Sequence, residues 1–504
     1  MSGVITTRGS GLTVFVIGLS AAVMTLDITV VNVALGAIGA EFDATLSGLQ
    51  WVVNGYTLAF AALLLSAGSL SDRLGRRGTF VLGMSVFTVA SLVCAVAPSE
   101  TVLIAARIVQ GGGASLVMGT GLALIAGVYE GGDPRKRQTA IGIFTAMGAA
   151  AGALGPLVGG ALVDGAGWRF IFVINLPLGV FIVAATLWGV RPQPKTAGAR
   201  IDVTGAALAV LTLFSLNYGL LTGANETWGR ADVVATLTAA PLLLAAFLGV
   251  EWRRGREAML DLSLFRIPTF TGAIVLSFAA RITSFGLFPF LILWLTGLLG
   301  HTPLQVGLIL LILSVTMLVV APLSGQLTRF APLRVLTFAG MVVIGAGLIW
   351  AAAALEPASG WTAVLPCLIL IGAGAGIVMP HMMGLAVGVV PAARAGMASG
   401  VANSFFPLGT AVGVAVFGAV MTAAVSARVA DPDLARAVAA GRVDEVAAGS
   451  DALIATAREA FVAGLSTIFL IAGLAAVVSG VATLLLVRAA DTHVAPVNEA
   501  VSTA

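Results

Sequence analysis

The sequence predicts an all-α polytopic membrane protein with fourteen transmembrane helices, built as two six-helix bundles with two further helices between them. Three observations predict it: a composition too apolar for water, a series of apolar runs of membrane length, and a weak repeat that relates the two ends of the chain. Of 504 residues, 59% are hydrophobic and only 10% are charged, and the mean hydropathy is +1.06. A soluble domain is about 25% charged, so this chain cannot clothe a water-facing surface of its size, and lipid is the expected solvent. Many of its 62 Gly lie within apolar runs, where small residues let membrane helices approach closely.

Windows of about 20 residues give spans near 11–38, 48–70, 78–98, 101–128, 138–163, 168–190, 203–223, 233–250, 269–299, 304–327, 335–355, 362–390, 397–423 and 461–488. The first run is too long for a cleavable leader and carries Asp27 in its middle. Between the spans, charge alternates. One set of loops carries Arg73, Arg76 and Arg77, then Arg135, Lys136 and Arg137, then Arg191, Lys195 and Arg200, then Arg253, Arg254, Arg256 and Arg266, then Arg329, Arg334 and Arg394. The alternate loops carry mainly Glu41, Asp43, Glu100, Asp164, Glu226, Asp232 and Glu356. The positive-inside rule makes the first set cytoplasmic and places both termini inside. Trp51, Trp168, Trp228, Trp294 and Trp361 fall near the outer ends, where an aromatic belt would lie. One outer loop, about 424–460, is long, Ala-rich and mixed in charge, and reads as a solvated connector with room for short surface helices.

The repeat divides the chain. "GSLSDRLGRR" (68–77) returns as "GQLTRFAPLR" (325–334), "GGGASLVMG" (111–119) as "GAGAGIVMP" (372–380), and "GIFTAMGAAAGALG" (142–155) aligns with "GVANSFFPLGTAVG" (400–413). This gives an N-terminal bundle over 1–190, an unrepeated pair with linkers over 191–266, and a C-terminal bundle over 267–504 that includes the long outer loop and a short cytoplasmic tail.

Several functions are excluded at this stage. The only lysines, Lys136 and Lys195, do not follow a glycine, so there is no Walker A loop, and no HExxH or GxSxG occurs. An enzyme is not expected, nor a metal or a cofactor. Net charge is +3, but the basic residues form no continuous stripe, so nucleic acid is not an expected partner. Cys94 and Cys367 both sit in apolar runs and read as small buried hydrophobes. What remains is a polytopic bundle that uses a gradient or merely permits passage.

Two membrane charges stand out. Asp27 shares a face of its span with Ser20 and Ala34, while Thr25, Thr29 and Asn32 share the opposite face. A helix polar on two sides avoids lipid and is expected beside a central cavity. Arg107, in the fourth span, shares a face with Gly111, Ala114 and Met118. Desolvation favours a neutral Asp27 and a nearby Arg107 favours a charged one, so exchange between these settings would couple protonation to conformation. The alternative is a permanent hydrogen-bonded brace. In the fifth span Gly148, Gly152, Gly155 and Gly159 fall within roughly 60° of each other on a helix, with Pro156 between them and Gly160 beside them. That stripe suits close packing on another helix, read here as a pliable contact between the halves. Arg281 and His381 are further intramembrane polar groups, open to either a substrate contact or a structural bond.

Gly68-x-Leu70-x-Asp72-Arg73-x-Gly75-Arg76-Arg77 resembles the loop 2–3 signature of the major facilitator superfamily. "LDITVVNVAL" (26–35), "RIVQGGGA" (107–114), "GPLVGG" (155–160) and "WRFIFVINLPLG" (168–179) resemble, in order, the first-, fourth-, fifth- and sixth-span motifs of its fourteen-span drug:proton antiporter branch. There are two departures. Gly36 stands where the family's first-span motif has proline, and Ala151 where its fifth-span motif has glycine. The resemblance implies the major facilitator fold and proton-coupled efflux of small lipophilic drugs or antibiotics across a bacterial cytoplasmic membrane. It implies Asp27 as proton site with Arg107 as partner, a cytoplasmic gate at Gly68, Asp72, Arg73, Gly75, Arg76 and Arg77, and a fifth-span seal at Gly148, Gly152, Gly155, Pro156, Gly159 and Gly160. Substrate contacts are sought at Asn32, Arg281, His381 and Asn403, and the working unit is expected to be a monomer. An exporter of an endogenous amino acid or lipid, and a non-transporting receptor of transporter form, stay open as alternatives.

Overall fold

The computed structural model describes residues 7–128, 134–191, 202–225, 227–255, 260, 262–390, 395–442, 451–488 and 491. Among these every regular element is helical. In lipid a chain must satisfy its backbone hydrogen bonds internally, and helices do so within each span.

The helices of the N-terminal half are α1 (Thr7–Phe42), α2 (Leu46–Leu74), α3 (Arg76–Ala95), α4 (Glu100–Val128), α5 (Pro134–Ala166), and α6 (Phe170–Val173) continuing into α7 (Asn175–Gly189). The inserted pair is α8 (Val203–Asn225) and α9 (Ala231–Arg254). The C-terminal half has α10 (Pro268–Phe285), which runs through α11 (Phe288–Leu293) and a π turn at Trp294–Leu298. It continues with α12 (Pro303–Leu327), α13 (Leu333–Ala354), α14 (Leu365–Gly388), α15 (Ala395–Ser426), the short α16 (Pro432–Ala439) and α17 (Asp451–Leu486).

Thirteen helical segments of the described residues are long and apolar enough to cross a membrane. The other long helix, α2, falls short of that apolarity among the described residues. It has 29 residues but carries Gln50, Asn54 and Thr57, all buried. It tolerates them because it packs on α4, α15 and α8 rather than on lipid. The outward face of the bundle is apolar, with Trp188 86%, Leu242 71% and Leu485 70% exposed, as a lipid-facing surface requires.

Within the first half α1 packs on α5, α2 and α3 on α4, and α3 on α7; within the second, α13 packs on α14 and α17, α12 on α14, and α10 on α15 and α17. The halves meet along two seams, α5 with α12 and α2 with α15. The inserted α8 lies against both α2 and α15, with α9 outside it, so the pair covers one seam and leaves the other uncovered.

Two expectations need correction. Trp168 and Trp294 are 4% and 1% exposed, so they are packed inside instead of forming a belt; Trp228, at 51%, does lie outside. The long outer loop is shorter and less solvated than its composition suggests: the last span begins at Asp451, and Ala435, Ala437, Val438 and Ala439 of α16 are buried. Asp27 is joined by two further buried acids: α9 continues to Arg254 and leaves Glu251 1% exposed beside Asp202 at 4%.

Candidate functional site

Asp27 sits in the middle of α1, 3% exposed, and meets Arg107 of α4, 1% exposed. Arg107 donates to Asp27 Oδ2 at 2.5 Å. The other carboxylate oxygen, Oδ1, accepts from Gln110 Nε2 at 2.9 Å and Asn175 Nδ2 at 2.8 Å. Arg107 also donates to Gln110 Oε1 at 2.7 Å and, through Nε, to the Val52 carbonyl of α2 at 3.1 Å. Its guanidinium lies 4.3 Å from the centre of the Tyr56 ring, where the electron-rich face attracts a cation. Ser91 of α3 accepts from both Gln110 and Asn175. Side chains from α1, α2, α3, α4 and α7 thus converge on one ion pair sealed from solvent.

This arrangement can do one thing chemically. The pair is neutral as a unit, and both charges are hydrogen-bonded, which is the condition for burying them at all. Adding a proton to Asp27 removes one charge and leaves Arg107 uncompensated, so the contact between α1 and α4 loses most of its attraction. The geometry leaves no opening for a substrate to touch Asp27 in this conformation.

Gln110 and Asn175 were not among the expected site residues. Both lie inside stretches that carried the family resemblance, "RIVQGGGA" and "WRFIFVINLPLG". A buried amide in an apolar run was the signal available, since such a group needs a partner.

The loop between α2 and α3 turns at Gly75, whose φ of 97° and ψ of 129° suit glycine alone. Gly75→Ala should cost about 1–3 kcal/mol, read as a lower melting temperature of the purified protein. Arg76 donates to the Ala123 carbonyl of α4 at 3.2 Å, and Arg77 bonds the Leu187 carbonyl of α7. Both fasten the loop to its own half. The side chains of Asp72 and Arg73, and the surroundings of Gly68, lie outside the described residues.

The glycine stripe of α5 does not lie between the halves. A Cβ at Gly152 or Gly155 would meet Thr25 or Thr29, and one at Gly148 or Gly159 would meet Thr25 or Val30, so the stripe is packed against α1. This also explains the second polar face of α1: Thr25 and Thr29 bond carbonyls of their own helix and sit under α5. The contact between halves is made one face further round. A side chain at Gly160 would strike the Pro303 carbonyl, and one at Gly307 would strike the Pro156 carbonyl, so α5 and α12 touch backbone to backbone. Gly36 faces Thr296 across the halves, and α1 runs through it unbroken.

Further bridges lie towards the same end, the one that carries Glu41 and Asp43. Arg442, after α16, pairs with Asp43, and Gly441 abuts Gly297. Gln50 donates to the Val414 carbonyl at 2.9 Å. Asn54 donates to Asn217 of α8 at 3.0 Å and to the Ala411 carbonyl at 3.3 Å. This acidic end is closed.

The remaining candidates stand apart from the ion pair. Asn32 is half-buried and bonds the Ile28 carbonyl of its own helix. Arg281 of α10 stacks 4.1 Å from the Phe285 ring. His381 of α14 is 9% exposed and bonds backbone at Ser324 of α12. The side chain of Asn403 lies outside the described residues. No group of three or more His, Cys, Asp or Glu that could hold a metal occurs among the described residues.

The model of the family described as Major Facilitator Superfamily matches residues 17–414. The chain is 35% identical over 427 residues to the multidrug resistance protein Stp of Mycobacterium tuberculosis, covering 85% of this chain and 78% of that one. It is 35% identical to the methylenomycin A resistance protein of Streptomyces coelicolor, covering 82% and 86%, and 34% identical to the tetracenomycin C resistance and export protein of Streptomyces glaucescens, covering 84% and 79%. Among solved structures it resembles a bacterial homolog of the human lysosomal transporter Spinster, with a TM-score of 0.68 and 18% identity over 97% of this chain and 99% of that one.

Proposed function

From the premise that this chain belongs to the major facilitator superfamily, we propose that it is a proton-coupled exporter of small lipophilic drugs or antibiotics in a bacterial cytoplasmic membrane, with Asp27 as the coupling group. The observation that carries the proposal is the ion pair of Asp27 and Arg107, buried among five helices and able to exchange one proton for one broken contact. The family makes it a transporter, and the relatives named for multidrug and antibiotic resistance support the substrate class.

In this reading the arginine-rich end is cytoplasmic, and the structure has its outer end closed. Asp27 reports to that closure through a short path. The face of α1 opposite Asp27 carries α5, and α5 carries the Pro156–Gly160 contact with α12. Protonation that loosens α1 from α4 therefore acts on the helix beneath the outer seam. Two bundles then rock about the site and expose it alternately. Each charge moved across 100 mV supplies about 2.3 kcal/mol. Span α12 carries no carboxylate, which favours neutral, monocationic or zwitterionic cargo. No cofactor is required beyond the proton itself.

The test is transport in proteoliposomes energised by an imposed proton gradient without ATP. Accumulation of a lipophilic antibiotic, abolished by a protonophore, is the expected result. Accumulation of amino acids or lipids in place of drugs redirects the substrate class, and no transport of any of them under a proton gradient overturns the proposal.

A further inference from the structure

The inserted pair holds a second group of buried charges that the coupling mechanism does not use. Asp202 caps the start of α8: its Oδ1 accepts from the Gly205 N–H at 2.6 Å, and its backbone carbonyl accepts from the Ala206 N–H. Arg254, from the last turn of α9, pairs with the same oxygen. Glu251, one turn earlier on α9, accepts through Oε2 from the Leu260 N–H at 2.7 Å. Leu260 lies in the linker that leads to the C-terminal half.

The other oxygen of each carboxyl has no hydrogen-bond partner, although the residues are 4% and 1% exposed. Asp202 Oδ2 and Glu251 Oε1 converge beside Gly205, where a Cβ would collide with both, and the two side chains interact directly. Two facing carboxylates would leave both atoms unsatisfied and mutually repelled, which buried groups do not tolerate. One proton cures both defects.

We propose that Asp202 and Glu251 share one proton, and that this second proton site fastens the linker between the inserted pair and the C-terminal half. The hydrogen-bond pattern says which residue carries it. Asp202 already accepts from a helix N-terminus and an arginine, so it is the acceptor of the pair. Glu251 is the acid: its O–H donates to Asp202 Oδ2 and its carbonyl accepts from Leu260. Every polar atom is then satisfied. Among the described residues, the charged groups acting on Glu251 from α8, α9 and the Leu262–Arg266 turn are Asp202 and Arg254. Loss of the proton sets two carboxylates against one arginine and releases Leu260, so alkaline conditions loosen this linker independently of Asp27.

Infrared spectroscopy of the purified full-length protein at neutral pH reads the proton directly, through the C=O stretch of a protonated carboxyl. Glu251→Gln keeps the shape and donates to Asp202, so it should fold and lose one such band relative to the native chain. Asp202→Asn donates to Glu251, lets it ionise and should lose the same band. Asp27→Asn should retain it, because Asp27 belongs to the separate cluster with Arg107. As pH rises, the native chain should lose the band and melt at a lower temperature, and Glu251→Gln should show neither change. A band retained in full in either folded Glu251 or Asp202 variant overturns the proposal, as does a band lost only with Asp27→Asn.

Discussion

Replacing Asp27 by Asn is expected to reduce proton-driven export to the level of vesicles without protein, while exchange of substrate down its own gradient persists. The amide preserves volume and can still meet Gln110 and Asn175, so the fold survives. It cannot change charge with pH, and Arg107 faces a neutral partner at all times, as it would beside a permanently protonated Asp27. The contact between α1 and α4 then no longer depends on the proton gradient. Counterflow measured beside uphill transport in the same proteoliposomes separates the two effects. Uphill export undiminished in the variant would remove Asp27 from the coupling mechanism and leave it as a structural brace.

Arg107→Ala should be the more damaging change to stability. It leaves the Asp27 carboxylate buried with only two amide donors, and breaking a buried pair on one side costs about 3–5 kcal/mol. It also leaves the Val52 carbonyl and the Tyr56 ring without the cation that they enclose. A double variant with Asp27→Asn and Arg107→Gln has no uncompensated charge and should melt closer to the native protein than Arg107→Ala does. This non-additivity is the signature of residues acting as one unit. A double variant less stable than Arg107→Ala would show that the pair contributes by attraction that amides cannot replace.

The sequence made the spans legible because hydropathy over a membrane's thickness is a strong and local signal. Most helix ends then fell a few residues beyond the apolar limits, since polar residues continue a helix into the interface. The last span began ten residues earlier than its apolar run suggested, at 451 against 461, because a turn rich in alanine is helical without being strongly apolar. Charge made Asp27 and Arg107 legible as a site, since each is too costly in lipid to lack a partner. Gln110 and Asn175 escaped because uncharged amides raise a weaker alarm. Asp202 and Glu251 escaped because they stand at span ends, where acids are cheap unless tertiary packing buries them. The glycine stripe of α5 showed that a helix comes close, but small residues do not say which helix. The structure gave the stripe to α1 and moved the contact between halves to Pro156 and Gly160.

The placement of α8 and α9 makes the two flanks of the molecule unequal. Lipid can reach the interface between the halves along α5 and α12, but along α2 and α15 it meets a wall held by the Asn54–Asn217 bond. Under the proposed export function, a lipophilic molecule arriving from the bilayer is therefore expected to enter along the α5–α12 flank, and a bulky residue placed there should slow that entry while leaving the aqueous route untouched.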